Sequence, residues 1–251
     1  MTTIALYNLK GGVGKTTTAV NLAYLSSAEA RPTLLFDMDP QGSASYHFRV
    51  RPPKKLKART IIQGGKTLEK SVRGSDYPYL DILPADISFR NLNKFLRKKK
   101  HPKRQFGKMI DNFAGEYDLL FIDCPPGISI EAENVFRISD MVLFPIIPTV
   151  LSLETMQVVY SFFENKKLDT AAIVPFFSMV DRRKKLHLST LETMQEKDPG
   201  ILKSYIPFSS EIEKSGVTRE PLCATSKKGA GALAYRALWE EIKDKLWGTA
   251  E

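Results

Sequence analysis

The sequence contains few cysteines and no long hydrophobic run. Its 251 residues include two cysteines, Cys124 and Cys223, which are too few for a disulfide framework and show no metal-ligand spacing. No stretch approaches the roughly 20 consecutive apolar residues that cross a bilayer, and the N-terminus lacks a basic region followed by an apolar signal core. We therefore expect a cytoplasmic protein in which both thiols are semi-buried packing groups.

Acidic residues are almost missing from two segments. Residues 49–73 contain nine Lys or Arg against Glu69 alone, and residues 90–108 contain nine Lys or Arg and no acid. Since the net charge of the whole chain is only +9, the remainder is net negative. Such local basicity is expected of a surface that meets a polyanion, with solvated loop and helix faces as the alternative explanation.

Apolar runs of strand length alternate with segments of helical spacing. The predicted strands are 3–9, 33–38, 79–83, 119–123, 141–147, 171–177 and 202–206, and the clearest helices are 16–27, 151–166 and 230–246. Apolar strands separated by helices indicate a doubly wound α/β fold, with a mostly parallel sheet and helices on both faces. We expect one domain over residues 1–251, with residues 49–75 as a basic, irregular insertion outside the core because they contain Pro-Pro and Gly-Gly turns.

A glycine-rich segment joins the first predicted strand to a helix. Residues 8–17 read Asn-Leu-Lys-Gly-Gly-Val-Gly-Lys-Thr-Thr, and glycines before a helix N-terminus let backbone N–H groups converge on phosphate oxygens. Lys15 is then expected at the β- and γ-phosphates and the Thr16 hydroxyl on Mg²⁺. The ordinary Walker A pattern requires glycine five positions before Gly14, where this chain has Leu9. The ordinary match therefore fails.

Residues 10–17 instead resemble the deviant Walker A motif of the ParA/MinD family of P-loop ATPases, closest to the short, Soj-like ParA type. The resemblance implies that ATP is bound here and that Lys10 reaches across a homodimer interface to phosphate held by the other subunit. A second cation supplied in this way makes the nucleotide part of the interface. The implied contacts of the loop are Lys10, Gly11, Gly12, Val13, Gly14, Lys15, Thr16 and Thr17, with Lys10 and Lys15 also catalytic.

Two predicted strands end in acids, and carboxyl ends of parallel strands face the ligand crevice. Residues 36–43 resemble switch I of the family, which implies that Asp39 positions the attacking water and that Asp37 is a Mg²⁺-shell or structural acid. Residues 119–127 resemble a Walker B strand and switch II, so Asp123 is expected to bind Mg²⁺ through its water shell. The implied metal set is Thr16, Asp39 and Asp123.

Two later segments are expected near the adenine base. Asp181 follows the sixth predicted strand and is a candidate base contact, although the family often has Asn at the end of this strand and this chain does not. Residues 206–211 resemble the Ile-Pro loop that lies along the nucleotide, which implies Pro207 near adenine and Glu211 or Glu213 near the ribose. A purely structural role is the alternative for each of them.

The family divides by what its ATP-bound dimer adheres to. ParA proteins bind DNA without sequence preference, whereas MinD proteins bind membranes through an amphipathic C-terminal helix. The resemblance implies DNA contacts at Lys227 and Lys228, with Arg182, Arg183 and Arg219 as further candidates, and phosphate neutralisation would drive the binding. No helix-turn-helix precedes the phosphate loop and little chain follows the last predicted helix, so we expect neither operator recognition nor a membrane anchor.

The resemblance implies an ATP hydrolase that is weak alone and stimulated by a ParB-like or cargo-adaptor protein. The ATP-bound dimer would lie on nucleoid DNA and segregate or position a plasmid, a chromosome origin or a protein complex. The alternative is a MinD-like, membrane-associated ATPase that regulates division-site placement. A metabolic P-loop enzyme would need cluster cysteines or a substrate pocket, and Asp39 argues against a scaffold without turnover.

Overall fold

An eight-stranded sheet forms the centre of the computed structural model, which describes residues 1–248. The strands are β1 (Thr2–Leu6), β2 (Thr33–Asp37), β3 (Arg73–Gly74), β4 (Leu80–Leu83), β5 (Leu119–Asp123), β6 (Met141–Ile146), β7 (Ile173–Val180) and β8 (Tyr205–Pro207). Their order is β3-β4-β2-β5-β1-β6-β7-β8, with β3 antiparallel to β4 and the other neighbouring pairs parallel. The predicted doubly wound, mostly parallel α/β sheet is confirmed.

Helices cover both faces of this sheet. They are α1 (Lys15–Ala28), α2 (Ser43–His47), α3 (Ala58–Gln63), α4 (Lys66–Glu69), α5 (Leu92–Leu96), α6 (Gly107–Phe113), α7 (Ile130–Ile138), α8 (Val150–Asn165), α9 (Lys185–Lys197), α10 (Ser210–Thr218), α11 (Leu222–Thr225) and α12 (Ala230–Trp247). None of those described is both long and apolar enough to cross a membrane.

Successive residues of each strand point to opposite faces, so the core has two halves. Ile4 and Leu6 pack in a cluster with residues of α1, α11 and α12. Ala5 and Tyr7 pack in a second cluster with residues of α3, α5, α7 and α8. Burial on both faces explains why the strands are apolar almost throughout. The two free thiols are also buried, Cys124 in the second cluster and Cys223 in the first.

The structure shifts several predicted strand bounds. Strand β1 ends at Leu6 instead of residue 9, because the chain there enters the glycine-rich loop, and β7 extends to Val180 instead of ending at 177. Strand β8 begins at Tyr205 instead of residue 202. Strand β3 is absent from the prediction, since its two residues are too few to show a periodic pattern.

Residues 49–75 are not an irregular excursion, and that expectation is wrong. They contain α3, α4 and β3, and Leu56, Ile61 and Leu68 are fully buried. These apolar residues are sparse among Lys and Arg, so no long periodic pattern marks the helices in the sequence. The segment adds a packed layer beside the β4 side of the sheet, while its basic residues other than the half-buried Arg73 are exposed.

Candidate functional site

The loop between β1 and α1 closes around the ammonium group of Lys15. Helix α1 begins at Lys15, and Gly14 before it has a φ of 93°, a left-handed conformation that suits glycine. The Lys15 side chain is buried, and its Nζ donates a hydrogen bond of 2.8 Å to the backbone oxygen of Lys10. Burial lowers the pKa of Lys15, while the negative charge of Asp123 opposes that shift. A cation is thus held inside the loop.

Asn8 anchors the start of the loop to the neighbouring strand. Its side-chain amide donates a 2.8 Å hydrogen bond to the backbone oxygen of Pro145 in β6. Its Oδ1 accepts a 2.9 Å hydrogen bond from the backbone N–H of Lys10. Because Asn8 is buried, these bonds fix the path of the loop. The sequence reasoning missed this role, although a polar residue within the apolar run 3–9 was a signal for it.

The loop also packs closely against the end of β7. A Cβ atom at Gly14 would lie 2.8 Å from Oγ of Ser178, closer than van der Waals contact permits. Glycine is therefore required at this position by its backbone conformation and by its neighbour. The same contact brings the end of β7 to the side of the phosphate loop.

Two buried carboxylates lie at adjacent strand ends. Asp37 ends β2 and Asp123 ends β5, and the parallel register pairs them directly. Oδ2 of Asp37 accepts hydrogen bonds from the backbone N–H and the hydroxyl of Ser45, each of 2.7 Å. Among residues 1–248, Oδ1 of Asp37 and both carboxylate oxygens of Asp123 have no hydrogen-bond partner.

The carboxylates of Asp37 and Asp123 are buried side by side, which disfavours a negative charge on both of them. Burial raises the pKa of Asp37 to about 6, although its bonds from Ser45 oppose the shift. Burial, and then the charge of Asp37, raise the pKa of Asp123 well above its ordinary value. Buried oxygens without partners are rare in folded proteins. Oxygen donors beside a phosphate loop suit a hydrated Mg²⁺ ion, so the residues present fit that metal.

Asp39 lies two residues beyond the end of β2 and is only half-buried. Its Oδ1 accepts a 2.9 Å hydrogen bond from the backbone N–H of Gln41, and its backbone oxygen accepts a 2.9 Å bond from the N–H of Gly42. The turn holds the carboxylate beside the phosphate loop, where Asp39, Thr16 and Thr17 line one cavity.

That cavity has a volume of about 490 Å³, within the usual range for small-ligand sites. Its wall is formed by the phosphate loop, the turns that follow β2 and β5, and the ends of β7 and β8. The lining residues include Gly11, Gly12, Gly14, Lys15, Thr16, Thr17, Asp39, Pro126, Ser178, Met179, Pro207, Phe208, Ser209 and Glu213. Val13 is buried and is absent from the wall. The cavity thus has the phosphate loop with its Lys15 on one side and the apolar residues Pro207 and Phe208 on another.

A larger hollow of about 650 Å³ lies beside Arg104, Arg137 and Asp140. Asp140 directly precedes β6, which places this hollow at the amino ends of the strands. In open α/β sheets ligands bind at the carboxyl ends. The smaller cavity is therefore the candidate site.

Residues 1–172 match the family described as AAA domain. The chain belongs to this family. It is 28% identical to the chromosome-partitioning ATPase Soj of Treponema pallidum over 246 residues, which cover 96% of each chain. The match to Soj confirms the resemblance to ParA/MinD-type P-loop ATPases that residues 10–17 indicated.

Two solved structures share the fold of this AAA domain protein. A plasmid partition protein of Borrelia burgdorferi bound to AMPPNP has a TM-score of 0.85 at 21% identity, covering 98% of this chain and 99% of that one. The cell division ATPase MinD of Pyrococcus furiosus has a TM-score of 0.78 at 20% identity, covering 97% and 99%. At these identities the likeness shows the fold and does not separate partition proteins from MinD.

Of the expected base contacts in this AAA domain protein, Pro207 lines the cavity and Asp181 does not. The carboxylate of Asp181 accepts two hydrogen bonds of 2.9 Å from the Arg183 guanidinium, which lower its pKa to about 2. Asp181 lies one residue beyond β7, where the chain has turned away. Ser178 and Met179, nearer the loop, line the cavity instead.

The two candidate ribose contacts lie on different sides of α10. Glu213 lines the cavity, whereas Glu211 does not; the carboxylate of Glu211 contacts Gly229, directly before α12. Residues two apart in a helix point about 200° from each other. Only one of the pair could therefore face the cavity, and that residue is Glu213.

The residues predicted to contact DNA lie in three parts of the structure: before α12, after β7 and at the end of α10. Lys227 and Lys228 are exposed in the turn before α12, and Arg182 and Arg183 are exposed after β7. Arg219 differs, because its guanidinium lies 4.2 Å from the ring centroid of Tyr46 and its Nε donates a 2.8 Å hydrogen bond to the Tyr46 backbone oxygen. Its charged group thus joins α10 to α2.

Proposed function

We propose that this protein is a ParA-type ATPase that binds ATP and Mg²⁺ in the cavity beside the phosphate loop. One observation carries the proposal: buried Lys15 lies within the glycine-rich loop beside a carboxylate pair, Asp37 and Asp123, in which Oδ1 of Asp37 and both oxygens of Asp123 lack hydrogen-bond partners among the described residues. A metal triphosphate matches this arrangement. Its phosphates carry the negative charge that pairs with Lys15, and its metal ion carries the positive charge that pairs with the carboxylate oxygens.

Each part of the site has a role in hydrolysis. The loop N–H groups and Lys15 would bind the phosphates, and Thr16 and Asp123 would hold the magnesium ion, which neutralises phosphate charge when bound. Asp39 is accessible in the cavity and would orient the attacking water. Pro207, together with Glu213, would bind the nucleoside side, in place of the expected Asp181 and Glu211.

The proposed active form is a homodimer with nucleotide at its interface. Gly11 and Gly12 are exposed and Lys10 is half-buried, so the outer side of the loop is accessible to a second subunit. Lys10 would extend to the phosphates of that subunit, which makes dimerisation depend on ATP. Hydrolysis would remove the shared phosphate contact and separate the subunits.

We further propose that the ATP-bound dimer binds DNA without sequence preference and acts on the nucleoid, in the cytoplasm. Exposed Lys227 and Lys228, with Arg182 and Arg183, would bind backbone phosphates. A ParB-like or cargo-adaptor partner would stimulate hydrolysis, and repeated binding and release would segregate or position a plasmid, a chromosome origin or a protein complex.

The test is binding to random-sequence duplex DNA with ATP, ADP or no nucleotide across a salt series. Binding only with ATP, falling steeply with salt and lost in Lys10→Ala and Lys227→Ala/Lys228→Ala, is the expected result. Lys197→Ala/Lys245→Ala, which removes two exposed lysines elsewhere, is the matched control and should bind as wild type. ATP-loaded protein that ignores DNA but binds anionic vesicles would overturn this function in favour of a MinD-like one.

A further inference from the structure

The two acid-poor segments of the sequence meet in space. Helix α3 of the first segment packs against α5 of the second. The guanidinium of Arg59 lies 5.1 Å from the ring centroid of Phe95, a cation–π contact between the segments. Arg59 of the first segment and Lys98 and Lys99 of the second thus line one surface. With Lys54, Lys55 and Lys66, which lie just before and just after α3, we call it the α3–α5 basic face.

Two small hollows mark this face. Arg59, Lys98 and Lys99 line one of about 250 Å³, and Lys54, Lys55 and Lys66 line another of about 270 Å³. Each hollow therefore combines a consecutive pair of lysines with a basic residue from elsewhere in the chain, Arg59 in the first and Lys66 in the second. Lysine and arginine grouped in this way suit the repeated phosphates of a nucleic-acid backbone.

The charges of this face are not neutralised by the protein itself. Nearby Lys57 pairs with Asp86 and Lys103 pairs with Glu133. Within residues 1–248, none of the six members of the α3–α5 basic face forms a salt bridge. Like charges held close together without counter-charges are unfavourable, so an external polyanion would stabilise the arrangement.

The surface chemistry favours DNA over a lipid membrane. Peripheral membrane segments combine basic residues with apolar side chains that enter the bilayer. In the described chain, the exposed large apolar residues include none from residues 49–73 or 90–108. A duplex needs only cations in register with its phosphates, because backbone contacts supply non-specific affinity.

This face is separate from the contacts already proposed. The apolar side chains of α3 and α5 belong to the core half that includes Ala5 and Tyr7. Ala232, just after the Lys227–Lys228 turn, belongs to the opposite half. The two basic surfaces therefore lie on opposite sides of the sheet.

We propose that the α3–α5 basic face is a second binding surface for the phosphate backbone of duplex DNA. This inference rests on the proposed DNA-bound function and deepens it by assigning a further, independent surface. Its contribution adds to that of Lys227 and Lys228, and both would operate in the ATP-loaded protein.

The experiment compares four proteins in the ATP-loaded state: wild type, Lys98→Gln/Lys99→Gln, Lys227→Gln/Lys228→Gln and the charge-matched control Lys197→Gln/Lys245→Gln. Affinity for random-sequence duplex is measured against salt concentration, and thermal melts confirm folding. We expect Lys98→Gln/Lys99→Gln to weaken binding about tenfold and to reduce the salt slope by about 2, roughly 1 per lysine that contacts phosphate. The control should change affinity less than about twofold.

A second measurement does not depend on substitution. Acetylation of lysine amines is followed by mass spectrometry in wild-type protein, with and without duplex. DNA should protect Lys54, Lys98 and Lys99 but leave Lys197 reactive. Protection absent from these three lysines would overturn the proposal even if a variant had misfolded.

The remaining outcomes separate this inference from the proposed function. If Lys98→Gln/Lys99→Gln binds like the control while Lys227→Gln/Lys228→Gln fails, the second surface is refuted and the DNA-binding ATPase stands. If wild type ignores DNA in every nucleotide state, both fail. Vesicles of phosphatidylserine and phosphatidylcholine, bound by wild type but not by Lys98→Gln/Lys99→Gln, would assign the face to lipid and overturn the inference.

Discussion

The ammonium group of Lys15 is hydrogen-bonded to the main chain of Lys10, not to its side chain, at 2.8 Å. The two lysines of the phosphate loop are therefore connected through a backbone atom that any residue at position 10 would provide. The side chain of Lys10 is not needed to hold the loop closed. Removing the Lys10 side chain therefore tests its proposed contact with the phosphates of the other subunit, while the loop of its own subunit stays closed.

Lys10→Ala should leave nucleotide binding within a few-fold of wild type but abolish ATP-dependent dimerisation. Lys15→Ala should abolish nucleotide binding itself, because the buried cation is lost. Fluorescent-nucleotide titration and light scattering with ATP measure the two properties. Equal loss of nucleotide affinity in both variants would contradict the assignment of Lys10 to the partner subunit's phosphates.

Asp123→Asn should stabilise the nucleotide-free protein while abolishing hydrolysis. The substitution removes a carboxylate whose ionised form is disfavoured by burial and by the neighbouring Asp37, whereas the Asn amide carries no charge. Urea unfolding with and without nucleotide measures the free energy of unfolding. Ser45→Ala is a contrasting variant, since it removes a hydroxyl bonded to Asp37 and should destabilise. An unchanged or lower stability of Asp123→Asn would contradict the proposed unfavourable charge.

Gly14→Ala should destabilise the fold and abolish nucleotide binding, because of both its φ of 93° and the neighbouring Ser178 Oγ. Adding Ser178→Ala removes the steric contact but not the backbone strain, so the double variant should recover only part of the lost stability. Gly107→Ala is the control, since nothing lies within 4 Å of a Cβ there and Gly107 does not line the cavity. Thermal melts and nucleotide titration measure these effects. Full recovery in the double variant would show that the backbone imposes no constraint.

Glu133 should make stability sensitive to acid. Burial alone would raise its pKa, but hydrogen bonds from Arg137 and Lys103 outweigh that effect and lower it. A lowered folded-state pKa means that this stabilisation is present above the unfolded pKa and is lost as pH falls through the folded value. Glu133→Gln should cost about 1–3 kcal/mol at neutral pH and reduce the loss of stability between about pH 5 and pH 3. Parallel acid-unfolding curves for variant and wild type would contradict this.

Glu213→Gln should alter nucleotide affinity, whereas Glu211→Gln should not. Only Glu213 lines the cavity, and Glu211 contacts Gly229. Both substitutions keep size and remove one charge, so each is a control for the other. Titration with ATP and with inorganic triphosphate distinguishes a nucleoside contact from a phosphate contact. A larger effect of Glu211→Gln would reverse the assignment.

Local patterns in the sequence predicted the alternating strands and helices, because buried parallel strands have a distinctive apolar composition. The roles of Lys15 and Asp123 in the site stay predictions. Local patterns did not predict that Asp37 and Asp123 would lie side by side, since this depends on β5 pairing with β2. Strand order arises from packing between distant segments, which single-segment periodicity does not contain.

The sequence also did not predict the direction in which individual side chains point. Motif resemblance named both Glu211 and Glu213, and the rotation of α10 decides between them. Asn8 and Ser45 were missed because their roles depend on partners elsewhere in the chain, Pro145 and Asp37. Asp181 lies outside the cavity lining, and its carboxylate is bonded to the Arg183 guanidinium, a local contact that the motif resemblance does not contain.

The carboxylate pair at the ends of β2 and β5 also affects how this protein would respond to laboratory evolution. A screen that selects only for heat resistance would favour neutral replacements of Asp123, because they remove an unfavourable buried charge. Such variants would be more thermally stable but inactive, which is the usual trade-off between stability and activity. Screens for robust variants therefore need a turnover assay in every round.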